Sequence, residues 1–278
     1  VVVDNDSSDK SIEKIDGFLA EYPCRLVVIS NQANKGFGAG CNQGAFLCRS
    51  DYLLFLNPDA ALFKDTLEKS IGFMNASENT HFGVCGVQLI DRSGEVSRTC
   101  SRFPSLLGFA SHALGLSRFW PSLGHLMAEW DHSESRAVDQ VIGAFFLVRG
   151  ETFRQLGGFD ERFFVYFEEV DFSFRAINMG WRSIYLTSTQ AFHAGGGSSN
   201  QVKSRRLFYS LRSRLHYAFK HFSIPESLLV MLVTLFFEPV SRSVFVLLKG
   251  GSLKETWFAY GMLVGWMFKS VLKRLSVK

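Results

Sequence analysis

The stretch YLLFLNPDA, Tyr52 to Ala60, sets five apolar or aromatic residues against an abrupt polar stop at Asn57-Pro58-Asp59. Such a run predicts a buried strand over Tyr52–Leu56, whose carboxyl end delivers Asn57 and Asp59. Outward on both sides the pattern repeats. Val1–Val3 is a strand candidate, buried on both faces, followed by the polar turn Asp4–Asp9 and an amphipathic helix over Ile12–Leu19. Leu26–Ile29 predicts a strand, Asn34–Gly40 a glycine-rich loop and Asn42–Arg49 a helix. Downstream come a helix over Lys64–Met74, strands over Gly83–Ile90 and Val141–Val148, a helix over Thr152–Leu156 and a short strand over Ile184–Leu186. Residues 101–139 lack periodicity and read as an excursion with short helices, and Ala194–Asn200 reads as a Gly/Ser loop. This alternation predicts an α/β layered domain with a mostly parallel sheet, where ligands bind beyond the carboxyl ends of strands.

With 278 residues, 47% hydrophobic and 20% charged, the chain suits one large α/β domain with an appendage and is too apolar for disorder. Five cysteines without a C-x-x-C pair argue against a disulfide scaffold or zinc ribbon and for a reducing compartment. The net charge of +4 conceals an asymmetry. From Ser199 onward thirteen Lys/Arg oppose three acids, a balance of +10, and the body before it carries −6. A basic tail on an acidic body predicts an anionic partner, nucleic acid or a membrane surface. The tail's cations are interleaved with uncharged runs, Leu228–Phe237 and Trp257–Phe268, which favours an anionic membrane and no nucleic acid. Neither run reaches the ~18–20 residues of a spanning helix, and the first is expected to stop at Glu238-Pro239. Interfacial helices over 223–278 behind a catalytic domain over 1–222 are expected, the plainer alternative being a helical pair packed onto the body. Glu238 and Arg242, four apart, are placed to pair.

Asp4, Asp59 and the run Glu168-Glu169-Val170-Asp171 fall where strands end or a crevice opens. Carboxylates gathered there suit a divalent metal and a nucleotide diphosphate. Each has a plainer reading alone: Asp4 as a turn residue, Asp59 as a helix cap, the glutamates as a solvated helix face. Glu169, flanked by Phe167, Glu168 and Asp171, should have a raised pKa suited to a general base. Gly36-x-Gly38-x-Gly40 imitates a dinucleotide fingerprint, but the full G-x-G-x-x-G fails at Cys41 and at Gln43. A nicotinamide oxidoreductase remains a secondary reading, and a non-catalytic membrane scaffold a third.

Five segments stand in order: VVVDNDSSD (Val1–Asp9), NKGFGAGCNQG (Asn34–Gly44), YLLFLNPDA, VIGAFFLVRGETFRQLGGFDERFFVYFEEVDFSFR (Val141–Arg175) and GWRSIYLTSTQAFHAGGGSS (Gly180–Ser199). Together they resemble the family 2 glycosyltransferases of the GT-A fold, in the branch holding bacterial rhamnosyltransferases of O-antigen and cell-wall assembly. The resemblance covers about residues 1–220. It implies that Asp4 bonds the nucleobase and that Asn57 bonds a ribose hydroxyl; the glycine loop, with Asn34 and Gly36 at the nucleotide, lets the backbone approach it, and Asn34 and Asn42 are expected to fix the loop's shape. Asp59 is implied to hold Mg2+ or Mn2+ on the donor diphosphate, with His193 completing the metal shell. Asn57 departs from the family's acidic Asp-x-Asp pattern and removes a negative neighbour from the metal. Glu169 is implied as general base, with Gly143, Glu168, Asp171 and Arg175 around the acceptor. Arg149 and Arg175 are expected to pair with acids, the alternative being contact with phosphate.

The implied reaction is inverting, non-processive transfer of rhamnose from a nucleotide-diphospho-sugar donor, dTDP-rhamnose, to a lipid-linked glycan acceptor. The implied location is peripheral, on the cytoplasmic face of the bacterial inner membrane. Family members carry a strand and helix before the strand matched by Val1–Val3. An N-terminally truncated domain of low stability, with an open sheet edge beside Val1–Val3, is therefore expected.

Overall fold

A computed structural model describes residues 1–21, 25–195 and 203–275, with side chains to residue 270. Its elements in chain order are β1 (Val2–Asp4), α1 (Ser11–Glu21), β2 (Val28–Ser30), α2 (Phe37–Ala45), β3 (Tyr52–Leu56), β4 (Ala60–Leu62), α3 (Thr66–Asn75) and β5 (Phe82–Ile90). There follow α4 (Leu106–Ala113), β6 (Arg136–Val138), β7 (Phe145–Arg149), α5 (Gly150–Gln155), α6 (Glu168–Asn178) and β8 (Arg182–His193). The C-terminal part holds α7 (Lys203–His221), α8 (Ile224–Leu232), α9 (Glu238–Leu248) and α10 (Lys254–Leu275).

The fold is mixed α/β, with a main sheet ordered β3-β7-β5-β8-β4 and β6 added to β8. The expectation of a mostly parallel sheet fails in detail. Within the main sheet only β5–β8 is parallel; β3–β7, β5–β7, β4–β8 and β6–β8 are antiparallel. The excursion after β5 returns the chain from the opposite end, so β7 enters reversed between β3 and β5. β8 is also far longer than the three-residue strand expected. A register shift between Val87 and Gln88 lets it pair with β5 along both halves while β6 and β4 take its other side.

Strand β7 shows why the sheet holds. Phe145 and Leu147 enter the cluster beside Met74 and Phe82, while Phe146 and Val148 enter the cluster of Phe153, Phe159 and Phe172 on the other face. A strand covered on both faces reads as an unbroken apolar run, and each such side chain contributes about 1.5–3 kcal/mol. The glycine-rich segment is a second correction: α2 begins at Phe37, so Gly38 and Gly40 lie in its first turn and not in a loop.

Among the described residues β1 pairs only with β2, in parallel, with Val3 opposite Ile29. It is half-buried, not covered on both faces as expected, and a cavity of about 370 Å3 lies between Val1 and Val3 and the strand Tyr52–Leu56. The open edge beside Val1–Val3 is therefore present. Cys41, Cys48, Cys85 and Cys100 are free thiols, and Cys24 and the Gly196–Asn200 part of the Gly/Ser loop lie outside the described residues.

The C-terminal helices share a core in which Leu211, Leu215 and Tyr217 of α7 meet Val230, Tyr260 and Leu263, with Phe109 from α4. Glu238-Pro239 does not stop the first uncharged run. α8, a π-helical turn over Val233–Phe237 and α9 form one helix from Ile224 to Leu248. The π turn accommodates Pro239, which lacks an N–H and would otherwise clash one turn back. At 25 residues and mean hydropathy 1.7, this helix is long and apolar enough to cross a membrane by length and composition. Glu238 pairs with Arg242 at 2.6 Å, as expected from the sequence, and also with Arg214 of α7.

Candidate active site

Strand ends build the site. At the end of β1, Asp4 accepts from the Ser7 N–H at 3.3 Å, a turn contact, while its backbone carbonyl accepts from Asn31 N–H. Asn31 Nδ2 donates to Asn5 Oδ1 and to Gln43 Oε1, and Asn5 Nδ2 donates to the Gly36 carbonyl. Asn34 Oδ1 accepts the Gly36 N–H at 2.9 Å. Asn34 and Gly36 thus shape the entry to α2. Gly36 has φ +93°, and a Cβ there would lie 2.2 Å from the Phe164 carbonyl oxygen, so the position admits only glycine.

That contact ties α2 to the acid pair. Phe37 N–H donates to the same Phe164 carbonyl, and Asn42 brackets the preceding loop through Phe159 N and O. Tyr166 and Phe167 then adopt φ of +66° and +71°, the left-handed region, directly before Glu168 and Glu169 open α6. Two consecutive aromatic residues in that region store strain of about 1–3 kcal/mol each. The turn aims the acid pair.

Glu168 is buried at 4% exposure and Glu169 is half-buried. Burial, then the charge of Glu169, pushes the Glu168 carboxyl far above the usual range. Burial also raises Glu169, opposed by the backbone N–H groups of Glu169, Gly143 and Val170. Asn57 N–H donates to the Ala144 carbonyl at 3.1 Å, which sets the end of β3 one residue from the Gly143 contact. Ala60 pairs with His193 across β4 and β8, and Asp59 Oδ1 stands 3.3 Å from His193 Nε2. Asn57, Gly143 and Glu169 thus form one group and Asp59 with His193 another, joined by the two-residue step from Asn57 to Asp59.

Asp171 and Arg175 lie elsewhere than expected. Asp171 is fully buried and faces α7, where it accepts from His221 at 2.7 Å, Lys220 at 2.5 Å and Arg175 at 2.8 Å. Two positions beyond Glu169 on a helix is the far side, so Asp171 turns away from the Glu169 side, and Arg175 follows it to the Leu156 and Gly158 carbonyls. Arg175 pairs with an acid as expected; Arg149 does not, and donates to the Phe82 carbonyl and the Tyr52 hydroxyl at 2.7 and 2.9 Å.

Among the described residues no three His, Cys, Asp or Glu side chains converge as a metal centre. Asp59 and His193 supply one carboxylate oxygen and one imidazole nitrogen, a donor pair that fits Mn2+ or Mg2+ when phosphate oxygens and water fill the other positions.

Residues 1–109 match the glycosyl transferase family 2 domain. That segment is a family 2 glycosyltransferase domain. This glycosyltransferase is 28% identical over 222 residues to N-acetylglucosaminyl-diphospho-decaprenol L-rhamnosyltransferase of Mycobacterium tuberculosis, covering 74% of this chain and 70% of that protein. It is 28% identical over 168 residues to rhamnosyltransferase WbbL of Escherichia coli K12, covering 60% and 61%. Its fold is similar to that of the mannosyltransferase PcManGT from Pyrobaculum calidifontis, solved with GDP-Man and Mn2+. The TM-score is 0.54 at 14% identity, over 97% of this chain and 70% of that one.

The glycosyltransferase also holds a feature that motif reading missed. Glu169 opens on a cavity of about 700 Å3 whose wall carries Arg98, Arg102, Lys203 and Arg206. His125 lies there too, and burial, then Arg214, pulls it down to about 4, so it is neutral at pH 7. Lys203 and Arg206 had been counted only as part of a basic tail. Nothing in their spacing announces that α7 folds back over the site.

Proposed function

We propose that this enzyme transfers rhamnose from a nucleotide-diphosphate donor to a hydroxyl of a lipid-diphosphate-linked sugar, with inversion and one sugar per encounter. The observation that carries the reading is Glu169. It is a carboxylate of raised pKa, fixed by the Gly143 N–H, beside the end of β3 and open to a cavity large enough for an acceptor. The relatives' names supply the sugar and the lipid-diphosphate class.

In this reading Glu169 takes the proton of the acceptor hydroxyl, whose oxygen bonds to the anomeric carbon as the bond to the departing nucleotide diphosphate breaks on the opposite face. Asp4, at the end of β1, holds the nucleobase, the Asn34–Gly36 turn admits the nucleotide backbone, and Asn57 bonds the ribose. Asp59 and His193 hold Mg2+ or Mn2+, which when bound neutralises the diphosphate and favours its departure. The exposed apolar side chains of the Ile224–Leu248 helix and the basic residues near it rest on the anionic cytoplasmic leaflet of the inner membrane.

A panel of nucleotide sugars, assayed with Mn2+ and a short-chain lipid-diphospho-GlcNAc acceptor, tests this. Turnover of dTDP-rhamnose above UDP- or GDP-linked sugars is expected. Turnover of none of them, with stabilisation by NAD(H) instead, overturns it.

A further inference from the structure

The cavity beside Glu169 is rich in cationic side chains. Arg98 and Arg102 reach it from the excursion after β5, Lys203 and Arg206 from the first turn of α7, and Arg214 and Arg242 close its floor. Among the described residues Glu169 is the one acid on its lining. Arg102 is paired with Glu129, Arg214 and Arg242 share Glu238, and Arg206 bonds the Tyr166 hydroxyl, so part of this charge is engaged locally. A cationic enclosure beside a base that must ionise serves a polyanionic ligand.

Buried polar atoms without partners say where such a ligand sits. Gln140 is 5% exposed, lines the cavity, and its Oε1 has no hydrogen-bond partner. Arg102 Nη1, His125 Nδ1 and Glu169 Oε2, all on the same lining, are likewise buried and without a partner. An unmade hydrogen bond at a buried site costs about 1–3 kcal/mol, and four on one wall mark a surface shaped for something polar. Donors and acceptors alternate: guanidinium groups suit phosphate oxygens, while Gln140 Oε1 and Glu169 suit sugar hydroxyls.

Leu126 lines the cavity and is 53% exposed. The same excursion leaves Phe119 and Trp120 in solvent at 67% and 59%, and Phe119 packs tilted against Phe245 of α9, with centroids 6.4 Å apart.

We infer that this cavity is the acceptor subsite, in which Arg98, Arg102, Lys203 and Arg206 bind the diphosphate of a lipid-diphosphate-linked sugar. Gln140 reads a sugar hydroxyl, and the lipid chain leaves past Leu126 toward Phe119 and Trp120. The assignment rests on the transferase reading above and deepens it by placing the acceptor.

The test uses the full chain in detergent, with the double variant Arg102→Gln/Lys203→Gln. Arg102 pairs with Glu129 at the surface and Lys203 is exposed, so the fold should tolerate both changes. The substrates are farnesyl-diphospho-GlcNAc and a farnesyl ether of GlcNAc lacking the diphosphate. The variant should raise the KM for the diphosphate acceptor roughly tenfold or more. It should leave the KM for nucleotide sugar, acceptor-free donor hydrolysis and use of the ether unchanged. An equal loss on both acceptors overturns the assignment.

Direct binding of farnesyl diphosphate, followed by tryptophan fluorescence, should weaken in the variant to the same extent. Displacement of that probe by dTDP would make the cavity the donor's site. Displacement by phosphatidylglycerol vesicles would make it a headgroup site, and binding of inorganic pyrophosphate without farnesyl diphosphate would remove the lipid; each result overturns the proposal. Absence of turnover with either acceptor, alongside intact and variant-sensitive farnesyl diphosphate binding, would instead fault the transferase reading and leave the diphosphate site standing.

Discussion

Asp171 of α6 and His221 of α7 meet at 2.7 Å, and Lys220 and Arg175 close on the same carboxylate. This cluster joins the helix carrying Glu169 to the helix that roofs the cavity. Burial alone would raise the Asp171 carboxyl; the bonds from His221 and Lys220 and the charge of Arg175 outweigh it and hold the group below its usual range. Asp171→Asn leaves cations without their anion and should cost about 3–5 kcal/mol, measured by urea denaturation at pH 7. A group with a depressed folded pKa stabilises above its unfolded pKa of about 3.9 and loses that contribution as pH falls through the folded value. The gap between wild type and variant should therefore close below about pH 4.

The acid pair runs the other way. Glu168 and Glu169 are raised by burial, so their contribution is present below the unfolded glutamate pKa of about 4.3 and lost as pH rises through the folded values. Glu168→Gln should raise the melting temperature at pH 8 and leave it unchanged at pH 4. Glu169→Gln should lower kcat by roughly 10²–10⁴ while nucleotide-sugar affinity stays near wild type. Near-full activity of Glu169→Gln would move the base elsewhere.

For the Asp59–His193 pair, loss of either side chain should weaken Mn2+-dependent donor binding, by roughly tenfold or more. Calorimetric titration of donor with and without Mn2+ reads this directly. Metal-free donor binding should be equal in wild type, Asp59→Ala and His193→Ala.

Gly36→Ala probes the link from nucleotide loop to acid pair. Its Cβ would fall 2.2 Å from the Phe164 carbonyl oxygen, with φ at +93°. A loss of at least about 1–3 kcal/mol is expected, together with a larger fall in kcat than in donor affinity, because Phe164 leads into the Tyr166-Phe167 turn. Gly72→Ala, with open space around it on α3, is the control.

Vesicle co-sedimentation tests the membrane reading. Binding should require anionic lipid, weaken with salt and fall when Phe236, Val244 and Leu248, all at least half exposed, are replaced by Ser. Equal binding to neutral vesicles would remove the basic residues from the argument.

Much of this was legible in the chain. Tyr52–Leu56 is the strand its pattern describes, because a run covered on both faces and stopped by Asn-Pro-Asp has little alternative. What escaped was set by partners distant in sequence. The direction of β7 depends on where residues 91–144 return, and the face taken by Asp171 depends on His221, fifty positions away. The fate of Pro239 depends on a π turn that no residue type announces. Asn5, Asn31 and Gln43 were missed because a polar side chain at a strand end looks the same whether it knits two segments together or merely meets water.

The lone pairing of β1 with β2 has a consequence for donor recognition. Among the described residues no backbone ladder fastens this small sheet to β3; the Asn5–Asn31–Gln43 bonds and the closeness of Gly40 and Gly44 to Val1 and Val3 tie it to α2 instead. On the proposed reading of Asp4 as the base-binding residue, the nucleobase would rest on a lobe held to α2 through side chains. Amides of β1 and β2 should exchange with solvent faster than those of β5 and β8, and donor binding should slow them. Affinity for the nucleotide would then measure how firmly that lobe is seated as much as how well it fits the base.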